Sequence, residues 1–196
     1  TDEVLSVKTP NFRGARFLNF VEKDDEGKVW VGTRGGGLLK LNDLDFKRYK
    51  NTPFNRQSLV GDNVKCAFRD SRGMMWFGCI NGISRFDPAY KLFELYRSFE
   101  YQGEATNNNV YCIYEDKQDD IWLGTLSGGL VKFSPKTKEL KVYPKAKDGK
   151  IETKAIRTVF EDSKGVLWIG SRDEGLFSFN KQSETFKHYP VEDDMN

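Results

Sequence analysis

Side chains able to do chemistry are plentiful in this chain, but few of them sit at a spacing that chemistry needs. Acidic groups crowd short stretches, as in Asp24-Asp25-Glu26 and Asp119-Asp120. Calcium needs roughly six to eight oxygen ligands converging on one point, and a single acidic turn does not supply them, so no metal is expected. A glycosidase would need one pair of carboxylates set apart from the rest, and none is singled out. His188 is the only histidine, lying in the stretch FKHY (186–189). No Ser-His-Asp or Cys-His set can be assembled without it. Gly35-Gly36-Gly37 lacks the following Lys and helix of a phosphate loop and reads as a turn. Cys66, Cys79 and Cys112 have neither CxxC nor zinc spacing. They read as small buried hydrophobes, with a disulfide or a reactive thiol as the alternative. No catalytic residue and no cofactor is expected.

Composition narrows the class of partner. The 31 basic and 29 acidic residues leave a net charge of +2, which argues against a dedicated nucleic-acid or membrane surface. Many aromatics, with 18 Gly against 6 Pro, point to β structure.

The elements that position these residues are repeated. Trp30, Trp76, Trp122 and Trp168 follow one another at intervals of 46 residues. Around them stand DDEGKVWVGT (24–33), DSRGMMWFGC (70–79), DKQDDIWLGT (116–125) and DSKGVLWIGS (162–171). Asp24, Asp70, Asp116 and Asp162 precede each Trp by six positions, and Gly32, Gly78, Gly124 and Gly170 follow it by two. Gly27, Gly73 and Gly165 lie three before the Trp, where the third repeat has Asp119. Self-similarity at this period is the mark of a repeat architecture.

Each repeat reads as four short strands, here A to D. A is the apolar run before the Asp, as in VKCAF (64–68), VYCIY (110–114) and IRTVF (156–160). B carries the Trp. C is LLKL (38–41), ISRF (83–86), LVKF (130–133) or LFSF (176–179). D is FKRY (46–49), FELY (93–96), LKVY (140–143) or FKHY (186–189). The A–B connection is a tight hairpin, in which Asp bonds backbone N–H groups and Gly supplies positive φ. Four short antiparallel strands per repeat predict an all-β fold of β-propeller blades, without helices. A Trp at one strand position in every repeat is expected to pack between blades rather than to stack on a sugar.

The pattern Asp-x-x-Gly-x-x-Trp-x-Gly-Thr, then Gly-Leu, then Phe-x-x-Tyr, resembles the propeller repeats of two-component regulators. It is fullest in repeats three and four. Repeat two has Cys79 for Thr, and repeat one has a shorter C–D turn. The resemblance implies the periplasmic sensor region of a hybrid histidine kinase, of the kind found in Bacteroidetes. It implies a glycan oligosaccharide as signal and no catalysis in this region. A protein-interaction or dimerisation scaffold is the second reading, and a propeller lyase or hydrolase the third. The blades are expected at 9–50, 51–97, 98–144 and 145–190. Residues 1–8 are expected to form a D strand of a preceding blade, and 191–196 the start of a crossover. Open blade edges imply self-association.

Strand alternation sorts the connections onto two faces. The A–B hairpins repeat almost verbatim and suit a structural task. The D–A crossovers differ strongly and suit recognition. The candidate ligand-binding residues on that face are Arg34, Asn63, Asn81, Asn109, Tyr111, Arg157, Arg172 and Asp173, together with Lys65 and Ser127. Arg, Asn and Tyr side chains can hold a polyhydroxylated or anionic ligand.

Overall fold

A computed structural model of the chain describes residues 17–42, 45–97, 99–101, 104–105, 108–126, 128–143 and 155–190. The D strand expected at 1–8 and the segment 191–196 lie outside the described residues, as do Ser127 and most of the crossover before the fourth blade.

The strands come in groups of four. Blade 1 contains β1 (Leu18–Lys23), β2 (Val29–Thr33), β3 (Leu38–Asn42) and β4 (Asp45–Tyr49). Blade 2 contains β5 (Val64–Arg69), β6 (Met75–Cys79), β7 (Gly82–Asp87) and β8 (Leu92–Tyr96). The short strands β9 (Glu100–Tyr101) and β10 (Glu104–Ala105) form a two-stranded hairpin in the next crossover, which the repeat pattern did not foretell. Blade 3 contains β11 (Val110–Glu115), β12 (Ile121–Thr125), β13 (Leu130–Ser134) and β14 (Glu139–Tyr143). Blade 4 contains β15 (Ile156–Glu161), β16 (Leu167–Ser171), β17 (Leu176–Asn180) and β18 (Thr185–Tyr189). Each blade is an antiparallel sheet in sequence order, and there is no helix among the described residues.

The A–B hairpins close as the sequence requires. Gly27, Gly73 and Gly165 adopt φ near +80°, and Asp119 takes the same left-handed conformation at +65°. Asp is among the few residues with a side chain that tolerate it. The carboxylate at the head of each hairpin accepts turn N–H groups, as Asp70 does from Arg72 and Met74 at 3.0 and 2.9 Å.

The apolar core lies between blades. Trp30 packs against Phe77 and Phe86 of blade 2, Trp76 against Phe133 of blade 3, and Trp122 against Phe179 of blade 4. These three indoles are buried, whereas Trp168 is half-buried and packs on Tyr189 of its own blade. Strands β1, β5, β11 and β15 lie side by side and form the inner row of the array.

Candidate functional site

The hairpin face is bonded across its blade joints. Glu115 accepts from the backbone N–H and hydroxyl of Ser71 in the preceding blade, at 2.7 and 3.0 Å. Glu161 accepts from the Lys117 N–H at 2.9 Å. At the first joint the charges are reversed, with Arg69 bonding Asp25. A cavity of about 510 Å³ opens here between blades 3 and 4. Its charges bond one another: Lys181 reaches Asp116 and Glu161 at 2.9 and 2.7 Å, and Lys132 reaches Asp120 at 2.6 Å. That is a joint between blades, with its central charges paired.

The crossover face is built differently, starting from a defect in every inner strand. In β1 against β2 the pairing steps from Leu18–Thr33 to Phe20–Gly32, leaving Asn19 as an extra residue. The same bulge leaves Lys65 unpaired in β5, Tyr111 in β11 and Arg157 in β15. A bulge re-aims the side chain it carries. The residue after each bulge packs onto the repeated Gly of the neighbouring strand. A Cβ on Gly78 would lie 2.5 Å from Cys66 Sγ, and one on Gly170 would lie 2.6 Å from Thr158 Cγ2. The Gly two positions after each Trp therefore provides space for the bulged strand.

The four bulge residues come from four blades in a row, and three of them meet. The Asn19 amide donates to the Val64 carbonyl at 2.6 Å, stitching blade 1 to blade 2. The Lys65 Nζ lies 5.2 Å from the centre of the Tyr111 ring, and the Arg157 Cζ lies 4.1 Å from it. Tyr111 thus carries a cation from each adjacent blade, within cation–π range. Neither Lys65 nor Arg157 forms an ion pair among the described residues.

The other candidates divide into two groups. The main chains of Asn63 and Asn109 are structural: their carbonyls accept from Ile80 and Leu126 at 3.3 and 2.9 Å. Both side chains are half-buried rather than spread on the rim. Arg34 and Arg172 are anchored the same way through their N–H groups, on Phe17 and Ala155, and their side chains are exposed. Arg34 also lies 6.0 Å from the Phe17 ring centre. Asp173 and Asn81 are exposed. Asn81 lines a polar cavity of about 570 Å³ with Asn51, Val60, Ile80, Arg97 and Asn108. Asn19, Arg97 and Asn108 escaped the sequence reading. Asn19 was detectable, since it stands 46 residues before Lys65. Gly35-Gly36-Gly37 is a turn, with the N–H groups of Gly35 and Gly37 donating to the Asp62 carbonyl.

His188 is remote from this arrangement. It is exposed on β18, stacked on Phe177 with ring centres 4.3 Å apart. The three cysteines are free, and burial pushes the Cys79 and Cys112 thiols up to about 12 and raises Cys66 as well. A thiol so raised is a poor nucleophile at neutral pH. Among the described residues, no three His, Cys, Asp or Glu side chains come together as a metal would require.

The repeat geometry has a family counterpart. Residues 105–127 and 150–173 match the model of the two-component regulator propeller. Blades 3 and 4 thus carry stretches that match two-component regulator propeller repeats. Those two stretches contain the inner strand, the hairpin and the Trp strand of blades 3 and 4. Histidine kinase P4 of Formosa agariphila is 31% identical over 68 residues, a match covering 33% of this chain and 5% of the kinase. The extracellular domain of a hybrid two component system from B. thetaiotaomicron superposes with a TM-score of 0.74 at 24% identity, covering 95% of this chain and 25% of that one. Virginiamycin B lyase from Staphylococcus aureus superposes with a TM-score of 0.67 at 16% identity, covering 91% and 57%. At these identities the superpositions establish the fold alone. The match to the kinase thus covers a small part of it, and the chain spans about a quarter of the extracellular domain.

Proposed function

We propose that this chain is a ligand-sensing part of the extracytoplasmic β-propeller region of a hybrid two-component sensor, responding to a glycan oligosaccharide. The observation that carries the reading is the contrast between the two faces. The hairpin face bonds many of its charges across the blade joints, whereas the crossover face presents Lys65, Tyr111 and Arg157 from three blades and a separate cavity lined by Asn51, Asn81, Asn108 and Arg97. The family match and the likeness to extracellular domains support the sensor half of the reading. Side-chain amides both donate and accept, which suits sugar hydroxyls. The region is proposed to recognise rather than to catalyse, and its location to be periplasmic.

Calorimetry of the chain against a panel of glycan oligosaccharides tests this. Arg34→Ala, Arg157→Ala and Arg172→Ala should each weaken binding by about 1–3 kcal/mol. Lys28→Ala, Arg72→Ala and Lys164→Ala on the hairpin face should leave binding intact. Sensitivity of the hairpin set with a silent crossover set would overturn the assignment of faces. Cleavage of any oligosaccharide by the chain would favour an enzyme instead.

A scaffold reading has its own support in the outer surfaces of the first and last blades. Val21 is 63% exposed, although its counterparts Ile113 and Val159 are 9% and 6% exposed against a neighbouring blade. Phe160 is 57% exposed at the other end.

A further inference from the structure

We infer that the inner row of bulge residues selects an acidic saccharide, taking a carboxylate or sulfate group on the free N–H groups of Lys65 and Arg157 around Tyr111. The inference rests on the oligosaccharide-sensing reading and adds the charge class of its ligand.

Three observations lead to it. First, the bulge at Asn19, Lys65, Tyr111 and Arg157 recurs in all four blades, yet the residue it re-aims differs each time. A purely structural bulge has no need of two cations flanking one ring. Second, the two positive groups converge on Tyr111, at 5.2 and 4.1 Å from its ring centre, with no carboxylate paired to either among the described residues. Elsewhere the structure neutralises charges brought together: Lys181 sits on Asp116 and Glu161, Lys132 on Asp120, and Arg85 on Glu94 at 2.8 Å. Two like charges held near one another repel, and the ring's negative face offsets only part of that. An anionic group from a ligand would remove the rest. Third, a guanidinium lying over an aromatic ring keeps its in-plane N–H groups free, and that fork matches a carboxylate or sulfate. Asn19 is already committed to Val64, so the anion-binding part of the row is Lys65, Tyr111 and Arg157.

The test uses two matched pairs of probes: oligogalacturonate with its methyl ester, and a sulfated galactan oligosaccharide with its desulfated form. Calorimetry of the chain should show the acidic member of at least one pair binding roughly tenfold or more tighter than its neutral partner. The two pairs separate carboxylate from sulfate. The preference should shrink as salt rises, because ion pairing is screened. Lys65→Gln with Arg157→Gln should abolish the preference while leaving the melting temperature unchanged. Arg157→Lys should restore part of it, since charge returns without the fork. Neutral probes that bind as tightly as acidic ones would sink the acidic assignment alone, as would an acid preference surviving the double substitution. If none of the four probes binds, both this inference and the oligosaccharide reading fall.

Discussion

The indole N–H of Trp122 donates to the Asp116 carboxylate at 2.8 Å, across six residues of chain. The same bond joins Trp30 to Asp24, Trp76 to Asp70 and Trp168 to Asp162, at 2.8, 2.8 and 2.9 Å. Asp therefore closes the hairpin with one oxygen and holds the inter-blade Trp with the other. The two most regular features of the repeat are halves of a single device, linking turn geometry to the packing of one blade on the next.

Asp116→Ala should destabilise the chain more than Trp122→Phe. Asp116 is buried and accepts from Trp122, Gln118, Asp120 and Lys181. Removing it strands the N–H groups of Trp122, Gln118 and Asp120, while Lys181 keeps Glu161, and should cost about 3 kcal/mol. Trp122→Phe keeps most of the packing and should cost about 1–2 kcal/mol. Urea unfolding of both variants measures the order, and a larger loss for Trp122→Phe would contradict it.

Acid should unfold the chain through these carboxylates. Burial raises the Asp116 pKa, but the bonds from Trp122, Lys181 and the turn outweigh it, so the group titrates below its ordinary value of 3.8. Asp24 behaves alike with Lys40 and Trp30, and the Trp168 bond is the main cause of the lowering at Asp162. A carboxylate lowered on folding adds stability above its unfolded pKa and loses it as pH falls through the folded one. The melting temperature should hold level from pH 7 to about 5 and drop below about pH 4. A flat profile down to pH 3 would refute the role given to these groups.

Gly124→Ala should cost more than Gly170→Ala. A Cβ at 124 would lie 2.5 Å from Ile156 Cγ2 and closer still to Cys112 Sγ, and Ile156 is fully buried. Overpacking there should cost about 1–3 kcal/mol. At 170 the new carbon meets only the methyl of Thr158, an exposed residue that can turn away. Adding Thr158→Ser should relieve whatever loss Gly170→Ala shows. Equal losses at the two sites would mean that space does not explain the repeated Gly.

The chain should self-associate through its end blades. Val21 and Phe160 expose apolar surface that the inner blades cover, and such patches favour association. Light scattering at rising concentration should show species larger than a monomer, and Val21→Asp with Phe160→Asp should suppress them. A strict monomer at high concentration would defeat this expectation.

The sequence by itself determined the blade. Its hairpins are made by residues a few positions apart, so Asp, Gly and Trp at fixed offsets disclose the turns, the strands and the inter-blade Trp. Repetition extended that reading to the packing, because each joint is a copy of the last. The tertiary structure alone decided where the inner-strand residues point. The repeated Gly leaves room for a bulge but does not say what the displaced residue meets, and only the assembled row brings Lys65 and Arg157, each 46 residues from Tyr111, onto its ring. It also decided that Asn63 and Asn109, grouped with them by position, hold the blade through their carbonyls. Side-chain direction at such positions depends on strand register and on the blade next door, and both are set by long-range packing rather than by local sequence.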